Sequence, residues 1–440
     1  MTRVLNLDGL VGPNHNYGGL AQGNLASALH RGQISNPRSA ALQGLEKMHA
    51  LHQLGLAQGI LPPQPRPQLS LLYAAGFRGT TAALLEQAYK ESPRLLEACY
   101  SASSMWAANA ATITPACDSL SGKVQISPAN LVSGLHRSLE APFNLQFFRR
   151  CFSDPEFFQV HPPLPAQNSF ADEGAANHTR LSDPATGHSL NLFIYGRSDQ
   201  QSGPDHFPAR QSKLASNSLI RRHRIPPERA LLVQQNPDAI NAGAFHNDVV
   251  AVGHENFLLL HQQAFSEQAE VLKTLRQQTR HWQAPLSIFE VSQKELSLSQ
   301  AVKTYLFNSQ LVTLTDGSLL LIAPEESHQD PVTAAICERI LAEDNPVSEV
   351  RFFNLRQSMN NGGGPACLRL AIPLREQELS RVAPGILINE ERYQALQSWI
   401  EQHYRDRLCA DDLRDPQLVE EIAQALSELN LILQLPELYH

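Results

Sequence analysis

The chain has 440 residues, 42% of them apolar, and carries a formal charge of -8 with a pI near 6.1. That length suffices for about three average domains and a large buried core. The acidic balance excludes nucleic acid and anionic membrane surfaces as partners, since both recruit a basic face, and Arg221, Arg222 and Arg224 read as a solvated helix end. No apolar run approaches the roughly 18 residues of a membrane span, and MTRVLNLDGL lacks a signal-peptide core, so a soluble cytoplasmic protein is expected. Cys99, Cys117, Cys151, Cys337, Cys367 and Cys409 show no CxxC or zinc spacing, as expected of reduced thiols. Asn177-His178-Thr179 matches a glycosylation sequon, which in a cytoplasmic protein is chance.

The first 60 residues predict a strand in VLNLDGL, a glycine-rich loop in NYGGLAQGN, and a helix with Pro37 in its first turn and Gly55 past its end. Leu42, Leu45 and Met48 mark the buried face of that helix. ILPPQPRPQ, with four prolines, predicts an extended surface connection where a domain boundary is permitted but not required. From about residue 109 a unit recurs: two short strands joined by a turn, a helix, then a third strand. The first copy is ATITP, KVQIS, a helix near 133–150 and FFQV. The second is HTRL, SLNLFIYG, a helix near 211–223 and ALLVQQ. The third is DVVAVG, FLLLHQQ, a helix from Ser266 and LSIFEV. The fourth is QLVTL, SLLLIA, a helix begun by Asp330-Pro331 and EVRFFNL. Pairing of the last strand, CLRLAI, with the N-terminal segment completes a fifth unit. Residues 389–404 and 415–433 predict two amphipathic helices, with Tyr393, Leu396 and Ile400 on one buried stripe and Leu418, Ile422, Leu426 and Leu429 on the other.

A polar residue precedes the first strand of each unit: Asn109, Glu173, His246, Asn308 and Cys367, at intervals of 64, 73, 62 and 59 residues. In a closed ring of such units these side chains converge on one central channel. Cys367 follows Gly362, Gly363 and Gly364, which let backbone approach a ligand closely beside the sulfur; a plain turn with a buried structural thiol is the alternative. The segment lacks the Gly-Lys-Ser/Thr ending of a phosphate-binding loop. Cysteine, histidine and glutamate at one pore are the parts of an activated nucleophile. Asp248, two residues from His246, is expected on the same strand face. Metal ligation by His246, Asp248, His254 and His261 is the other reading of that stretch. A pore with carboxylates and a thiolate suits a planar guanidinium, while the NYGGLAQGN loop, His136-Arg137 and Arg210 offer donors and positive charge for carboxylates on the same ligand.

LDGLVG with YGGLAQGN, SMWAANAATI, HRSLEAP, DEGAANH, FPARQS, QQNPDAINAGAFHND, HQQAF, YLFNSQL and SMNNGGGPACLRL together resemble the N-succinylarginine dihydrolase family, within the guanidino-modifying pentein superfamily. The resemblance spans essentially the whole chain. It implies an α/β fold, a five-unit pseudo-symmetric α/β propeller of strand-strand-helix-strand units, as one domain over residues 1–440 with the helices of 389–434 packed on it. It further implies Cys367 as nucleophile with His246 and Glu173 completing the triad. Substrate contacts are implied at Gly18, Gly19, Leu20, Ala21, Gln22, Gly23, Asn24, Leu25, Ala26, Ser27, Asn109, His136, Arg137, Arg210, Asp248 and Asn361. The implied substrate is N-succinyl-L-arginine, hydrolysed with two waters to N-succinylornithine, two ammonia and carbon dioxide without metal or organic cofactor. A deiminase that stops at the ureido product, an amidinotransferase and a non-catalytic arginine-derivative sensor are the alternatives. A homodimer is one expectation for its assembly.

Overall fold

The computed structural model describes residues 2–103, 105–198 and 207–439, so Ser104 of the SMWAANAATI motif and the two terminal residues lie outside it. The described residues form five three-stranded sheets. One holds β1 (Thr2–Gly9), β2 (Gln58–Leu61) and β15 (Arg369–Arg375). The others are β3 (Ala111–Thr114), β4 (Val124–Pro128) and β5 (Phe158–Val160); β6 (His178–Ser182), β7 (Ser189–Tyr195) and β8 (Ala230–Gln234); β9 (Ala251–His254), β10 (Phe257–His261) and β11 (Ser287–Val291); and β12 (Gln310–Thr313), β13 (Leu319–Pro324) and β14 (Val347–Phe353). In each, an antiparallel pair is followed by a strand parallel to its middle member. The middle strands β7, β10 and β13 are buried along their whole length. That explains why their sequences read as continuous apolar runs rather than alternating ones.

A crossover helix returns the chain to the parallel strand of each of these units. Lys213–Arg222 starts at Ser212, whose hydroxyl accepts from Ala215 N, and Pro331–Ala342 at Asp330, whose carboxylate accepts from Val332 N and Thr333 N. Such caps satisfy backbone N–H groups that the first turn leaves without partners. Leu272 and Leu275 of Gln268–Thr279 pack with Leu258 and Leu260 of β10 in one apolar cluster. Full burial of each such side chain stabilises by about 1.5–3 kcal/mol.

Neighbouring sheets are stitched together by polar contacts. Arg180 of β6 reaches Asp118 beyond β3 at 2.7 Å, Leu181 bridges to Glu255 beyond β9, and His254 of β9 bonds Thr313 of β12 at 2.8 Å. Gln310 of β12 then donates to Asn6 of β1 at 3.2 Å, and Ala108 N, ahead of β3, donates to the Cys367 carbonyl ahead of β15 at 3.1 Å. The five sheets thus follow one another around a ring, with the first-strand starts gathered together.

Three stretches differ from expectation. Residues 60–68 are not a surface connection: β2 pairs in parallel with β1, and Pro62, Pro63, Gln64 and Arg66 are buried. The prolines follow the strand rather than interrupt it, and Tyr439 of the C-terminal tail donates to the Pro63 carbonyl at 2.6 Å over them. Residues 69–100, unassigned from sequence, form helices Leu69–Ala74, Thr81–Glu91 and Pro93–Tyr100. Between β14 and the glycines, where no element was assigned from sequence, lies a short helix, Arg356–Met359.

The C-terminal helices are Glu390–His403 and Pro416–Ile432, capped by Asn389 and Asp415. Leu396, Trp399 and Ile400 join Leu45 and Met48 in the largest apolar cluster, while Leu418, Ile422 and Leu426 pack with Leu72, Leu84, Leu85 and Leu96. Tyr393 is only half-buried and stacks on His49 at 3.7 Å between ring centroids.

Candidate active site

The loop that carries Cys367 is shaped by what its glycines touch. Gly362 has φ +98°, and a Cβ there would overlap the Asn24 carboxamide. A Cβ at Gly363 would overlap the Trp106 indole nitrogen, and one at Gly364 would stand 2.8 Å from Asn308 Oδ1. Close approach by three different side chains therefore demands glycine at all three positions. Beyond the turn, Cys367 is 1% exposed. Its Sγ donates to Asp248 Oδ2 at 3.2 Å and accepts from Asn308 Nδ2 at 3.2 Å. Burial, then the Asp248 carboxylate, pushes the thiol well above its ordinary range; the Asn308 hydrogen bond works the other way.

Glu173 precedes a single 3-10 turn, Gly174–Asn177, and is fully buried. Its backbone is held from both sides: its N–H donates to Gln211 Oε1 at 2.7 Å and its carbonyl accepts from Asn109 Nδ2 at 2.6 Å. The carboxylate accepts from His246 Nε2 at 2.7 Å and from Arg137 Nη1 at 2.6 Å on one oxygen, and from the Ser133 hydroxyl on the other. Burial opposes the charge, but Arg137 and then His246 outweigh it and hold the carboxyl well below the usual range. His246 is lowered to about 4, by burial first and against the pull of Glu173, so near neutral pH the ring is uncharged. The carboxylate assigns the ring proton to Nε2 and leaves Nδ1 as the acceptor, with no partner among the described residues.

His246 and Asp248 do not share a strand face as expected, because residues 247–249 form a 3-10 turn and β9 begins only at Ala251. Asp248 reaches the sulfur through that turn instead. Burial pushes its carboxyl up to about 7, and Oδ1 is unpartnered.

Arg137 is less free than the sequence suggested: one nitrogen is committed to Glu173, leaving Nη2 buried and unpartnered. Arg210 is 4% exposed, donates to the Gln22 carbonyl at 2.7 Å, lies 4.7 Å over the Phe245 ring, and keeps Nη1 unpartnered. Burial lowers it to about 10, and its charge is felt by Glu173, Cys367, Asp248 and His246 alike, so these groups share one electrostatic environment. His136 is buried and neutral, lowered to about 3 by burial and the neighbouring Arg137. Residues 18–27 cover this region: Asn24 caps the short helix Leu25–Leu29 and donates to the Asn361 carbonyl at 2.8 Å, while Asn361 Nδ2 donates to the Asn16 carbonyl at 3.1 Å. The cover and the glycine turn are therefore tied directly together.

Six buried polar atoms here lack partners: donors on Trp106 Nε1, Arg137 Nη2 and Arg210 Nη1, and acceptors on His246 Nδ1, Asp248 Oδ1 and Asn109 Oδ1. An unmade buried hydrogen bond costs about 1–3 kcal/mol, so both kinds together mark a place built for a ligand of mixed charge. Two open surface hollows, about 550 and 810 Å³, lie beside Arg405 and beside Glu270 and include none of these residues. Polar convergence locates the site better than hollow size does. The metal reading loses its ligands, since His254 bonds Thr313 and His261 bonds the Leu296 carbonyl. Sequence reasoning missed Ser133, Trp106, Gln211 and Phe245. Trp106, Gln211 and Phe245 each carried a signal, lying within three residues of Asn109, Arg210 and His246; Ser133 lay outside every quoted motif.

Three-stranded α/β units around a closed site of cysteine, histidine, glutamate and aspartate define a protein of the pentein class. The N-terminal domain of ArgZ, a cyanobacterial arginine dihydrolase bound to product, superposes with a TM-score of 0.50 over 84% of this chain and 97% of that one, at 14% identity. Apo ArgZ gives 0.51 over 86% of this chain and 42% of its own, at 15%; at such identities the likeness is one of fold. The family model for succinylarginine dihydrolase matches residues 2–440. N-succinylarginine dihydrolases of Aeromonas hydrophila and Pseudoalteromonas translucida are 46% and 47% identical over 438 residues, 99% of this chain and 98% of each relative. That of Myxococcus xanthus is 47% identical over 441 residues, 99% of both chains. The chain belongs to the succinylarginine dihydrolase family.

Proposed function

We infer that this protein hydrolyses N-succinyl-L-arginine to N-succinyl-L-ornithine, two ammonia and carbon dioxide in arginine catabolism, with Cys367 as nucleophile. The observation that carries the residue assignment is the contact of Cys367 Sγ with the Asp248 carboxylate, in a buried polar site shared with the His246–Glu173 pair. Asp248, with one oxygen unspent, suits a guanidinium, which would then present its carbon beside the sulfur. The Sγ–H bond breaks, its proton passes to the neutral His246 ring at Nδ1, and the sulfur attacks that carbon to form the S–C bond. The tetrahedral adduct breaks a C–N bond and releases ammonia with a proton from His246 Nδ1. Water, giving a proton back to the same nitrogen, attacks the thiouronium carbon; the C–S bond then breaks and leaves the ureido compound. A second round on that compound completes the dihydrolase reaction. Glu173 orients His246 and stabilises its charged form.

Arg210 Nη1 and Arg137 Nη2 are the free donors that suit the substrate carboxylates, with His136, Asn109, Asn361 and the backbone of residues 18–27 around them. Among the described residues no helix is long and apolar enough to cross a membrane; we place the enzyme in the cytoplasm, as a homodimer, the latter read by light scattering. The deciding assay is mass-spectrometric product analysis with N-succinylarginine, arginine and N-succinylcitrulline. Two ammonia per N-succinylarginine and no accumulated ureido product are expected. A stop at the ureido compound makes the protein a deiminase, and no turnover of any of the three refutes the reading.

A further inference from the structure

Asn308 was singled out in sequence as the polar residue ahead of the fourth repeated unit, yet the reaction above gives it no role. It is fully buried at the end of the 3-10 turn Leu306–Asn308, and its backbone carbonyl accepts from Ala366 N at 2.9 Å, which pins it to the nucleophile loop. Its carboxamide is spent on that loop and on Asp248. One Nδ2 proton goes to the Asp248 carbonyl at 3.0 Å and the other to Cys367 Sγ at 3.2 Å, while Oδ1 accepts from Cys367 N at 3.4 Å. The orientation is not arbitrary. A flipped amide would set Oδ1 against a carbonyl oxygen and the sulfur, and the NH2 group against the Cys367 N–H.

We propose that Asn308 is the thiolate-stabilising donor of this enzyme, holding Cys367 Sγ in place and favouring its ionised form for attack. The proposal rests on Cys367 being the nucleophile. In the step it serves, the Sγ–H bond breaks, the electron pair stays on sulfur, and the proton passes to the neutral His246 imidazole at Nδ1, from which departing ammonia later takes it. Other groups facing the sulfur do not replace this donor. Asp248 opposes the thiolate, Arg210 favours it through space, and Tyr305, a buried phenol, is uncharged. A thiolate in so closed a site needs a hydrogen bond aimed at it, and such bonds to charged groups are stronger than neutral ones.

The test uses Asn308→Ala and the isosteric Asn308→Asp, which keeps an oxygen for Cys367 N but puts an acceptor where the sulfur now finds a donor. Each is compared with wild type for kcat and KM on N-succinylarginine and for inactivation by 2-chloroacetamidine from pH 6 to 10, with Cys367 alkylation located by peptide mass. Both variants should react about tenfold or more slowly at pH 7, the scale of one charge-assisted hydrogen bond. KM should change much less, and since the thiol lies well above its ordinary range the alkylation rate should climb with pH in all three proteins, the variants reaching a given rate about one pH unit or more later than wild type. Should Asn308→Ala fail to fold, Asn308→Asp carries the test. Folded variants that alkylate within twofold of wild type across this pH range, whatever their turnover, overturn the proposal. Cys367→Ser separates the two readings: turnover by that variant removes the nucleophile assignment, whereas the alkylation profile reports on Asn308 independently.

Discussion

Replacement of Glu173 by glutamine tests whether the buried carboxylate serves through its charge. The side chain has nearly the same shape and can rotate so that its remaining carbonyl oxygen accepts from His246 Nε2 and Arg137 Nη1, while its NH2 faces the Ser133 hydroxyl. Hydrogen bonding is then largely kept, and what disappears is the negative charge between two groups that are 0% and 2% exposed. Arg137 becomes a buried cation without its counter-ion, a loss of about 3–5 kcal/mol of stability by analogy with broken buried pairs. His246 keeps its tautomer but loses the carboxylate proposed to stabilise its charged form during ammonia departure. General acid–base catalysis contributes about 10²–10⁴-fold, so kcat should fall by that order while KM moves little. Ammonia release at saturating substrate measures the first quantity and urea unfolding the second. A folded Glu173→Gln enzyme with kcat within tenfold of wild type would show that the His246–Glu173 contact is structural and refute the assigned role.

Cys367→Ser should abolish turnover with substrate binding nearly intact, as measured by calorimetry, because a hydroxyl is a far weaker nucleophile near neutral pH; more than a few per cent of activity would sink covalent catalysis. Arg210→Ala should weaken substrate binding by about 2–4 kcal/mol, the scale of truncating one partner of a desolvated charged pair. An equal loss for free arginine would move Arg210 from the succinyl end to the α-carboxylate. The Asp248 carboxyl, pushed up to about 7, is neutral below that pH and then pairs poorly with a guanidinium, so kcat/KM should show an acid limb near pH 7; a limb near 4 would contradict the assignment. Stability should fall as pH drops from about 6.5 towards 4, since buried His15, His136, His223 and His246 stay neutral when folded and charge on unfolding. Each contributes up to about 1.4 kcal/mol per pH unit there, while Asp172 and Asp248, raised in the fold, oppose it. Urea midpoints that rise between pH 6.5 and 4.5 would refute that balance.

Much of the architecture was legible because it is local. The apolar runs of β7, β10 and β13, the capping residues Ser212 and Asp330, and the turn signals between paired strands each act within a few residues, and four agreeing copies revealed the repeat. The order of polar residues ahead of first strands followed from that repeat, and with it the meeting of Asn109, Glu173, His246, Asn308 and Cys367. What the chain could not disclose depends on partners outside the local stretch, from 36 to 376 residues away. Residues 60–68 look like a surface linker until β1 and the C-terminal tail cover them. Arg137 looks like a free ligand cation until Glu173, 36 residues on, takes one of its nitrogens. Asp248 reaches the sulfur by a 3-10 turn that strand periodicity does not predict, and Asn308 acquires its task only when the glycine turn brings Cys367 against its carboxamide. Patterning sets which elements form and which faces they bury; the polarity and charge of the site are decided only when tertiary packing removes water from around those side chains and leaves each with particular neighbours.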